Sequence, residues 1–273
     1  MTLSAPQIRA RKRKHGGEPL VMVTAYDEPG ARYVDAAGVD ILLVGDSMAN
    51  VVLGQPDTLH VGVEDMCHHV RAVAAATPAA HIVADMPWLS YHVDVADSVR
   101  NAAALIRAGA HSVKLEGGRV RRPVVRAILD AEIPVMGHLG LTPQSVLTFG
   151  GFKVQAKTRE AAQWLIEDAT LLQDEGVYAI VIEGVPSLVG TRVTEALEIP
   201  TIGIGAGPDT DGQVLVFHDI LGMTKRAPAK FVRQYADLGS LITTSIGAFA
   251  HDVREGTFPG PDEVYDNPEG LLD

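Results

Sequence analysis

The chain has only one cysteine, Cys67, among its 273 residues. A lone cysteine cannot form a disulfide within the chain, which favours a reducing compartment. Positive charge is also scarce, because 23 Lys and Arg residues face 34 Asp and Glu residues and the net charge is −11. A surface with this excess of negative charge repels phosphate backbones, so we expect no nucleic-acid partner.

Long apolar runs are missing too. No run reaches the ~20 residues that span a bilayer, so we expect no membrane contact. Too little chain precedes the first predicted strand, near Pro19 and Leu20, to hold an apolar signal segment, and we expect a cytoplasmic protein. The 47% of hydrophobic residues is nevertheless ample for a large packed core.

Short apolar runs, by contrast, are abundant, and each is followed by a turn and usually by an amphipathic segment. Most of the runs are continuously apolar, as parallel strands covered on both faces are. They span residues 20–26, 41–46, 81–86, 112–117, 134–140, 179–185, 201–206 and 214–221. Eight such units predict an α/β fold, a (β/α)8 TIM barrel, whose usual length is ~250 residues. The alternative is an open doubly wound sheet, which usually has fewer strands and a glycine-rich dinucleotide turn that we do not find.

The ends of this barrel are predicted to be irregular. An N-terminal helix carries a basic cluster over residues 9–14, which we interpret as a solvated face. Only GPDTDGQ joins strands seven and eight, which is too short for a helix. A helical region from Lys230 to Glu255 is expected to complete the outer ring, before a loosely ordered acidic tail from about residue 258. We expect residues 1–273 to form a single domain.

The active site of such a barrel lies at the C-terminal ends of its strands, and strand four is the most informative there. Lys114 and Glu116 are two residues apart, so on a strand they point to one face, while Val113 and Leu115 point to the other. A cation and a carboxylate would then project together into the barrel mouth.

Acidic residues also end the two preceding strands, at Asp46 and Asp85. Together with Glu116 they would converge, and three crowded carboxylates repel one another unless a cation lies between them. Oxygen ligands suit a hard ion such as Mg²⁺, and no Cys or His cluster has the spacing of a zinc site. Taken singly, each acid could instead cap a helix or pair with a nearby cation. We expect Asp27, which precedes a helical segment, to be a cap or a first-turn charge.

Two more titratable residues stand late in strands five and six, His138 and Glu183. His138 fits a core histidine or a site residue equally well. The GIGAGPDTDG stretch after strand seven resembles a phosphate-binding turn only weakly, and a plain tight connection is favoured. Four acids, a lysine and a histidine on five successive strand ends nevertheless predict a site.

Several longer motifs match a known family. They run in order from about Arg9 to Pro261: VTAYD, ILLVGDS, VADMPW, VKLEGG, PVMGHLGLTPQSV, GGFKVQ, IPTIGIGAG, DGQVLVFHDILG and KFVRQYADL. In these motifs the chain resembles the ketopantoate hydroxymethyltransferase family. GHLGLTPQS and IGIGAGPDTDGQVLV are long and specific.

The resemblance implies a barrel of the phosphoenolpyruvate/pyruvate superfamily. It implies Mg²⁺ and transfer of a hydroxymethyl group from 5,10-methylenetetrahydrofolate to 3-methyl-2-oxobutanoate through a metal-stabilised enolate. The products would be 2-dehydropantoate and tetrahydrofolate, in the first step of pantothenate and coenzyme A biosynthesis. It also implies a ring-like homo-oligomer, often a decamer.

The family's functional positions carry over residue by residue. The matches to its metal-site carboxylates, some acting through water, are Asp46, Asp85 and Glu116. The matches to its keto-acid and other substrate-side contacts are Asp46, Ser47, Asp85, Lys114 and His138. Glu183 matches the general base.

Two other classes of function stay open at this point. A Mg²⁺-dependent C–C lyase or mutase of the same superfamily, acting on a 2-oxo acid, would use similar carboxylates. A non-catalytic keto-acid-binding protein is the third reading, although it gives no reason for a lysine, a base and a metal site to meet. Folate-dependent turnover separates these classes.

Overall fold

The computed structural model describes residues 2–224 and 227–267. Within these residues, eight parallel strands close into a barrel in which each strand pairs with the next and the last with the first. The strands are β1 (Leu20–Thr24), β2 (Ile41–Val44), β3 (His81–Asp85), β4 (Ser112–Glu116), β5 (Val135–Gly140), β6 (Ala179–Glu183), β7 (Thr201–Ile204) and β8 (Gly212–Leu215). The predicted (β/α)8 TIM barrel is confirmed.

Helices follow most of the strands, as the amphipathic segments predicted. They are α1 (Ala5–Arg9), α2 (Glu28–Ala36), α3 (Met48–Val51), α4 (Val63–Ala75), α5 (Val95–Ala108), α6 (Arg122–Asp130), α7 (Val146–Phe149), α8 (Arg159–Glu175), α9 (Ser187–Ala196), α10 (Phe217–Ile220) and α11 (Leu238–Glu255). Short 3-10 turns occur at Arg13–His15, Arg119–Arg121, Pro143–Ser145 and Pro261–Glu263. The connection between β7 and β8 holds no helix, as predicted from its length.

Strand side chains alternate between two apolar cores, which explains why the strands read as continuously apolar. On β2, Ile41 and Leu43 point into the barrel interior, whereas Leu42 and Val44 pack in the layer between barrel and helices. Because apolar groups cover both faces of each strand, the sequence shows no alternation of polar and apolar residues along it. The alternation also determines which residues at the strand ends reach the barrel mouth.

The prediction of a last strand over residues 214–221 is wrong in its second half. β8 spans Gly212–Leu215, and Phe217 already begins α10. The pairing of β8 with β1 ends at Leu215, and the backbone N–H of Phe217 donates to the Thr24 hydroxyl at 2.9 Å. A short apolar run cannot by itself distinguish a buried strand from a buried helical turn.

The predicted role of Asp27 as a helix cap is confirmed. Its side-chain oxygen accepts a hydrogen bond from the Gly30 backbone N–H at 2.8 Å, at the start of α2. This bond satisfies one of the donors that the first helical turn leaves without a partner inside the helix. The acid at the end of β1 is therefore structural.

The interpretation of the N-terminal basic cluster as a solvated face is wrong for Lys12, which is 1% exposed. The helix α1 ends at Arg9, and the following chain turns inward. The Lys12 ammonium lies 2.8 Å from an Asp211 carboxylate oxygen and donates to the Thr194 carbonyl at 2.7 Å. A run of like charges in a sequence carries no information about a carboxylate that lies almost two hundred residues away.

The chain divides into two compact units. The first comprises residues 1–217 and 229–232 and contains the barrel, and the second comprises residues 218–228 and 233–273. The extent of a single domain over residues 1–273 and the place of the last helix in the outer ring stay predictions. No helix in the described residues is long and apolar enough to cross a membrane.

The helix predicted from Lys230 begins later, at Leu238. The Asp237 side chain accepts from the Ser240 backbone N–H, and this cap determines where α11 starts. In the tail, residues 258–267 include the 3-10 turn Pro261–Glu263, and residues 268–273 lie outside the described residues. The loose order of the tail stays a prediction.

Candidate active site

Inward-facing side chains of four successive strands meet at the C-terminal end of the barrel. They are Asp85, Lys114, Glu116, His138 and Glu183. The outward side chains between them, Val113 and Leu115, belong to the core under the helices, so the predicted division of β4 into two faces is confirmed. Titratable groups buried this deeply are rare outside functional sites.

Asp46 joins this group from the turn that follows β2. Its backbone N–H donates to an Asp85 carboxylate oxygen at 3.0 Å, and the Lys114 ammonium lies 2.6 Å from the other oxygen of Asp85. Gly45 permits this approach, since a Cβ there would meet the Ser47 hydroxyl at 2.8 Å. The structure therefore brings together Asp46, Asp85 and Lys114, as the sequence predicted.

Burial and mutual repulsion shift the pKa values of these groups in opposite directions. Burial, with the negative charges of Asp85 and Glu116, raises the pKa of Asp46 well above its usual range. Burial disfavours the ammonium of Lys114, but the carboxylates around it, Asp85 first, outweigh burial and raise its pKa. Burial also opposes ionisation of Glu116, whose pKa is nevertheless lowered by its contact with His138 and by Lys114.

His138 lies between two carboxylates. Its Nδ1 is 3.3 Å from Glu116 Oε1, and its Nε2 is 3.1 Å from Glu183 Oε2, in a contact too bent to be a good hydrogen bond. Burial and the nearby Lys114 charge disfavour the imidazolium, but these two carboxylates outweigh them and raise the pKa of His138 to about 9. With the Lys114 ammonium also 3.2 Å from its Nδ1, His138 is a member of the site, where the sequence left a core histidine equally open.

Ser47 is half-buried beside the acids. Its hydroxyl lies 2.9 Å from the phenol of Tyr26, which is itself buried at the end of β1. Burial raises the pKa of Tyr26, so the phenol keeps its proton and can orient the serine. Sequence reasoning quoted this tyrosine in VTAYD without assigning it a role.

Two further polar residues at the site were missed from the sequence, Gln144 and Tyr91. The Gln144 side chain donates to an Asp46 carboxylate oxygen at 2.8 Å, and its backbone N–H donates to Glu116 at 3.0 Å. The Tyr91 phenol donates to the Gln144 carbonyl oxygen at 2.6 Å. Their only signal was the position of Gln144 inside the long GHLGLTPQS match.

The charges of the site leave negative charge in excess. Two cationic side chains, Lys114 and protonated His138, are surrounded by four carboxyl groups, those of Asp46, Asp85, Glu116 and Glu183. Such a set can bind a hard cation together with an anionic oxygen ligand. Glu183 approaches it from the side of His138, where it can exchange a proton with a bound molecule.

The carboxylates suit Mg²⁺ rather than a metal that needs a complete protein cage. Within residues 2–224 and 227–267, no three His, Cys, Asp or Glu side chains lie close enough together to hold a metal ion by themselves. Mg²⁺ binds oxygen ligands and usually keeps several waters, so one or two carboxylates plus water are enough. The residues present therefore fit this ion.

Comparison with known proteins identifies the family of the chain. The sequence profile of the family described as ketopantoate hydroxymethyltransferase matches residues 3–261. A 3-methyl-2-oxobutanoate hydroxymethyltransferase of Methylobacterium sp. (strain 4-46) is 54% identical over 255 residues, covering 93% of this chain and 88% of that protein. A protein of the same name from Koribacter versatilis (strain Ellin345) is 53% identical over 260 residues, covering 95% and 88%.

Solved structures share the barrel at low identity. A 2,3-dimethylmalate lyase of the PEP mutase/isocitrate lyase superfamily has a TM-score of 0.61 and 18% identity, covering 99% of this chain and 94% of that one. A phosphonopyruvate hydrolase in complex with oxalate and Mg²⁺ has a TM-score of 0.60 and 14% identity, covering 97% and 92%. These neighbours show the fold alone. The profile, by contrast, spans nearly the whole chain, and we conclude that the chain belongs to the ketopantoate hydroxymethyltransferase family, an enzyme family of transferases.

Proposed function

We propose that this protein transfers a hydroxymethyl group from 5,10-methylenetetrahydrofolate to 3-methyl-2-oxobutanoate, giving 2-dehydropantoate and tetrahydrofolate. Family membership supports the reaction. The structural observation that carries the proposal is the position of Glu183. It lies beside one ring nitrogen of His138, and Lys114 lies beside the other, together with the buried acids. A proton acceptor thus lies next to a group of acids and a lysine that together suit a metal ion and an anionic substrate.

The substrate presents a carboxylate next to a ketone, and the site offers a partner for each. Lys114 supplies positive charge where negative charge develops on the ketone oxygen. The Ser47 hydroxyl, held by Tyr26, donates to the substrate carboxylate. We assign Asp46 and Asp85 to the same binding region, because Asp46 donates its backbone N–H to Asp85 and both acids reach the barrel mouth.

We place the metal ion among Asp46, Asp85 and Glu116, with one or two of these carboxylates binding it directly and the rest binding it through water. When bound, Mg²⁺ draws electron density from the 2-oxo acid and so acidifies its neighbouring C–H bond. The carboxylates would hold the ion because they are buried close together, and the charge of Lys114 does not offset their mutual repulsion at Asp46.

Glu183 is assigned as the general base. It removes the proton from C3 of the keto acid, and the carbon then bonds to the methylene carbon carried by the folate. One of the two bonds from the methylene carbon to folate nitrogen breaks as the new C–C bond forms, and water displaces the second, so that the water oxygen becomes the hydroxyl. The two folate nitrogens take up the proton removed from C3 and one proton of the water, and tetrahydrofolate leaves. His138 Nε2 lies 3.1 Å from Glu183 Oε2 and places positive charge beside this carboxylate.

The test is a turnover assay with 3-methyl-2-oxobutanoate, 5,10-methylenetetrahydrofolate and Mg²⁺, scored for 2-dehydropantoate. We expect product only when all three are present. C–C bond cleavage of 2-oxo acids in the absence of folate would favour the lyase or mutase reading instead. Binding of the keto acid without any turnover would favour a binding protein.

The assembly and the compartment are part of the same proposal. We propose a homo-oligomer, with a decamer expected from the family resemblance, acting in the cytoplasm. Exposed apolar residues at helical spacing on α11 support self-association: Ile242, Ile246, Phe249 and Val253. Positions separated by three or four residues fall on one face of a helix, and such a stripe is normally covered.

A further inference from the structure

Gln144 connects two acids that come from strands that are not neighbours. It lies in the 3-10 turn Pro143–Ser145 after β5 and is 6% exposed. Its side-chain Nε2 donates to Asp46 Oδ2 at 2.8 Å, while its backbone N–H donates to Glu116 Oε2 at 3.0 Å. One residue therefore restrains the rotation of two carboxylates, one from β2 and one from β4.

The orientation of the Gln144 amide follows from its partners. Its Nε2 also donates to the Met86 carbonyl at 3.0 Å, and its Oε1 accepts from the Tyr91 phenol at 2.6 Å. The phenol oxygen accepts from the Glu116 backbone N–H at 3.1 Å, so its own proton is directed to Gln144. The reversed amide would place its oxygen against two acceptors, which leaves one arrangement that satisfies every group.

A neutral amide is the chemical type that this position needs. Asp46 and Glu116 repel each other in a buried site, and repelling carboxylates rotate apart unless donors hold them. A lysine would hold them but would also neutralise the charge that a metal ion requires. Glutamine donates hydrogen bonds and adds no charge.

We propose that Gln144, locked by Tyr91, is a positioning residue that aims Asp46 and Glu116 at the metal ion. This inference rests on the metal site of the proposed function. It assigns a role to the glutamine of GHLGLTPQS, and it assigns to Tyr91 the role of orienting that glutamine. Groups that orient metal ligands typically contribute about 10–100-fold to metal affinity.

The experiment measures Mn²⁺ binding to the full-length protein by the electron paramagnetic resonance signal of free Mn²⁺. Gln144→Met keeps the size and the backbone N–H but removes the side-chain donors, and we expect the dissociation constant to rise about 10–100-fold. Gln213→Met is the matched control, since the Gln213 amide also donates two bonds, to Gly207 and Thr210, on the exposed outer side of β8. We expect it to bind Mn²⁺ as the wild type does.

Tyr91→Phe is the second variant, which keeps the ring and removes only the hydroxyl. We expect the dissociation constant for Mn²⁺ to rise less, about 3–10-fold, because the Gln144 amide loses the hydrogen bond that orients it but keeps its own donors. Thermal unfolding without metal is recorded for each variant. If Gln144→Met and Tyr91→Phe both lower the melting temperature yet bind Mn²⁺ like the wild type, their role is structural and the proposal is overturned.

Asp85→Asn separates this inference from the proposed function. Loss of Mn²⁺ binding in that variant assigns the measured ion to the site. If the wild type binds no Mn²⁺, or Asp85→Asn binds it normally, the metal site of the proposed function and this inference are overturned together. If only the Gln144 and Tyr91 variants bind normally, the inference is overturned and the metal site stands.

Discussion

At the scale of single residues, His138 lies between two carboxylates to which the proposed function gives different tasks. Glu116 belongs to the acid group, whereas Glu183 is half-buried on the opposite side. An imidazole with a raised pKa between them adds positive charge near both carboxylates. The separation allows one carboxylate to hold a ligand while the other remains available for proton transfer.

Glu183→Gln tests the different roles proposed for these two carboxylates. The amide keeps the size of the side chain but cannot accept the C3 proton, so we expect exchange of the keto-acid C3 hydrogen with solvent to fall at least ~10²-fold. Binding of 3-methyl-2-oxobutanoate should stay within about threefold of the wild type, since the proposed contacts to the substrate are on other residues. Exchange is followed by NMR in deuterated buffer, and binding by calorimetry.

The control for this variant is Glu195→Gln, which neutralises an exposed glutamate of α9 paired with Arg192. It should change neither exchange nor binding. Exchange at the wild-type rate in Glu183→Gln would remove Glu183 as the base.

At the scale of elements, the segment after α1 anchors the N-terminal ends of β7 and β8. Asp211 accepts from the Thr201 backbone N–H at 2.8 Å and from the Arg13 backbone N–H at 2.9 Å, in addition to its ion pair with Lys12. Both ionic partners are buried, with side chains 2% and 1% exposed. Burial lowers the pKa of Lys12 despite the nearby carboxylate, which is the expected sign of a desolvated cation.

Lys12→Met should therefore destabilise the protein without changing its chemistry. Removing one partner leaves Asp211 buried without its cation, which typically costs about 3–5 kcal/mol of unfolding free energy. The turnover number should remain that of the wild type, because the active sites of such barrels lie at the opposite ends of the strands. Urea unfolding and the turnover assay measure the two effects.

Lys14→Met provides the comparison, because Lys14 forms a more exposed pair with Glu198. Exposed pairs contribute about 0–1 kcal/mol, so this variant should be close to the wild type in stability. Equal stability of the two variants would show that the Lys12 pair has no special role.

The same end of the barrel contains a buried histidine, His81, at the start of β3. Its Nδ1 lies 2.8 Å from the Leu3 carbonyl, and its Nε2 lies 2.9 Å from the Ser112 hydroxyl, which in turn contacts the Tyr178 phenol at 2.8 Å. These partners suit a neutral imidazole that donates at Nδ1 and accepts at Nε2. Burial lowers the pKa of His81 to about 4.

This shift predicts a loss of stability in acid. The unfolded histidine, with a pKa near ~6.5, takes up a proton before the folded one does, so the unfolding free energy falls as pH drops from ~6.5 towards 4. Above that window the contribution is fully present. Between pH 7 and pH 4 the wild type should lose about 2–3 kcal/mol more than His81→Asn, which keeps a donor for Leu3 but does not titrate.

Urea unfolding at several pH values measures this difference. The two proteins are compared by the slope of unfolding free energy against pH rather than by its absolute value, because other groups titrate in the same range in both. Parallel pH profiles for the wild type and His81→Asn would contradict the prediction.

At the scale of the whole molecule, the barrel separates polar groups with different purposes. Catalytic candidates lie at the C-terminal ends of the strands, while Lys12, Asp211 and His81 stabilise the N-terminal ends. Barrel enzymes generally divide stability and activity in this way. Substitutions at one end can therefore be interpreted without much interference from the other.

The proposed homo-oligomer is tested with Ile246→Glu on α11. Ile246 is 64% exposed, and a charge at this position should disfavour burial of the apolar face against another copy. Light scattering coupled to size exclusion should give the wild type a multiple of the 29.0 kDa chain mass and the variant a smaller assembly.

Ala248→Glu, an exposed change away from that apolar face, is the matched control and should keep the wild-type mass. A monomeric wild type would contradict the oligomer. An unchanged mass for Ile246→Glu would instead exclude this face from the interface.

Much of this protein follows from local sequence patterns. The positions of seven of the eight strands, the shared face of Lys114 and Glu116, and the Asp27 cap were predicted, because alternation and capping depend on neighbours a few residues apart. The number of βα units then predicted the closed barrel, since few architectures accommodate eight of them. The family motifs supplied the reaction.

Only the tertiary structure decided which distant groups meet. It buried Lys12 against Asp211, charged His138 between two acids, and placed Gln144 across Asp46 and Glu116. None of these pairings has a local signature, because each depends on how strands far apart in sequence align around the barrel. The sequence by itself therefore determined the elements and the chemical groups at their ends, whereas the protonation and orientation of those groups came from burial and from partners that only barrel closure brings within a few ångströms.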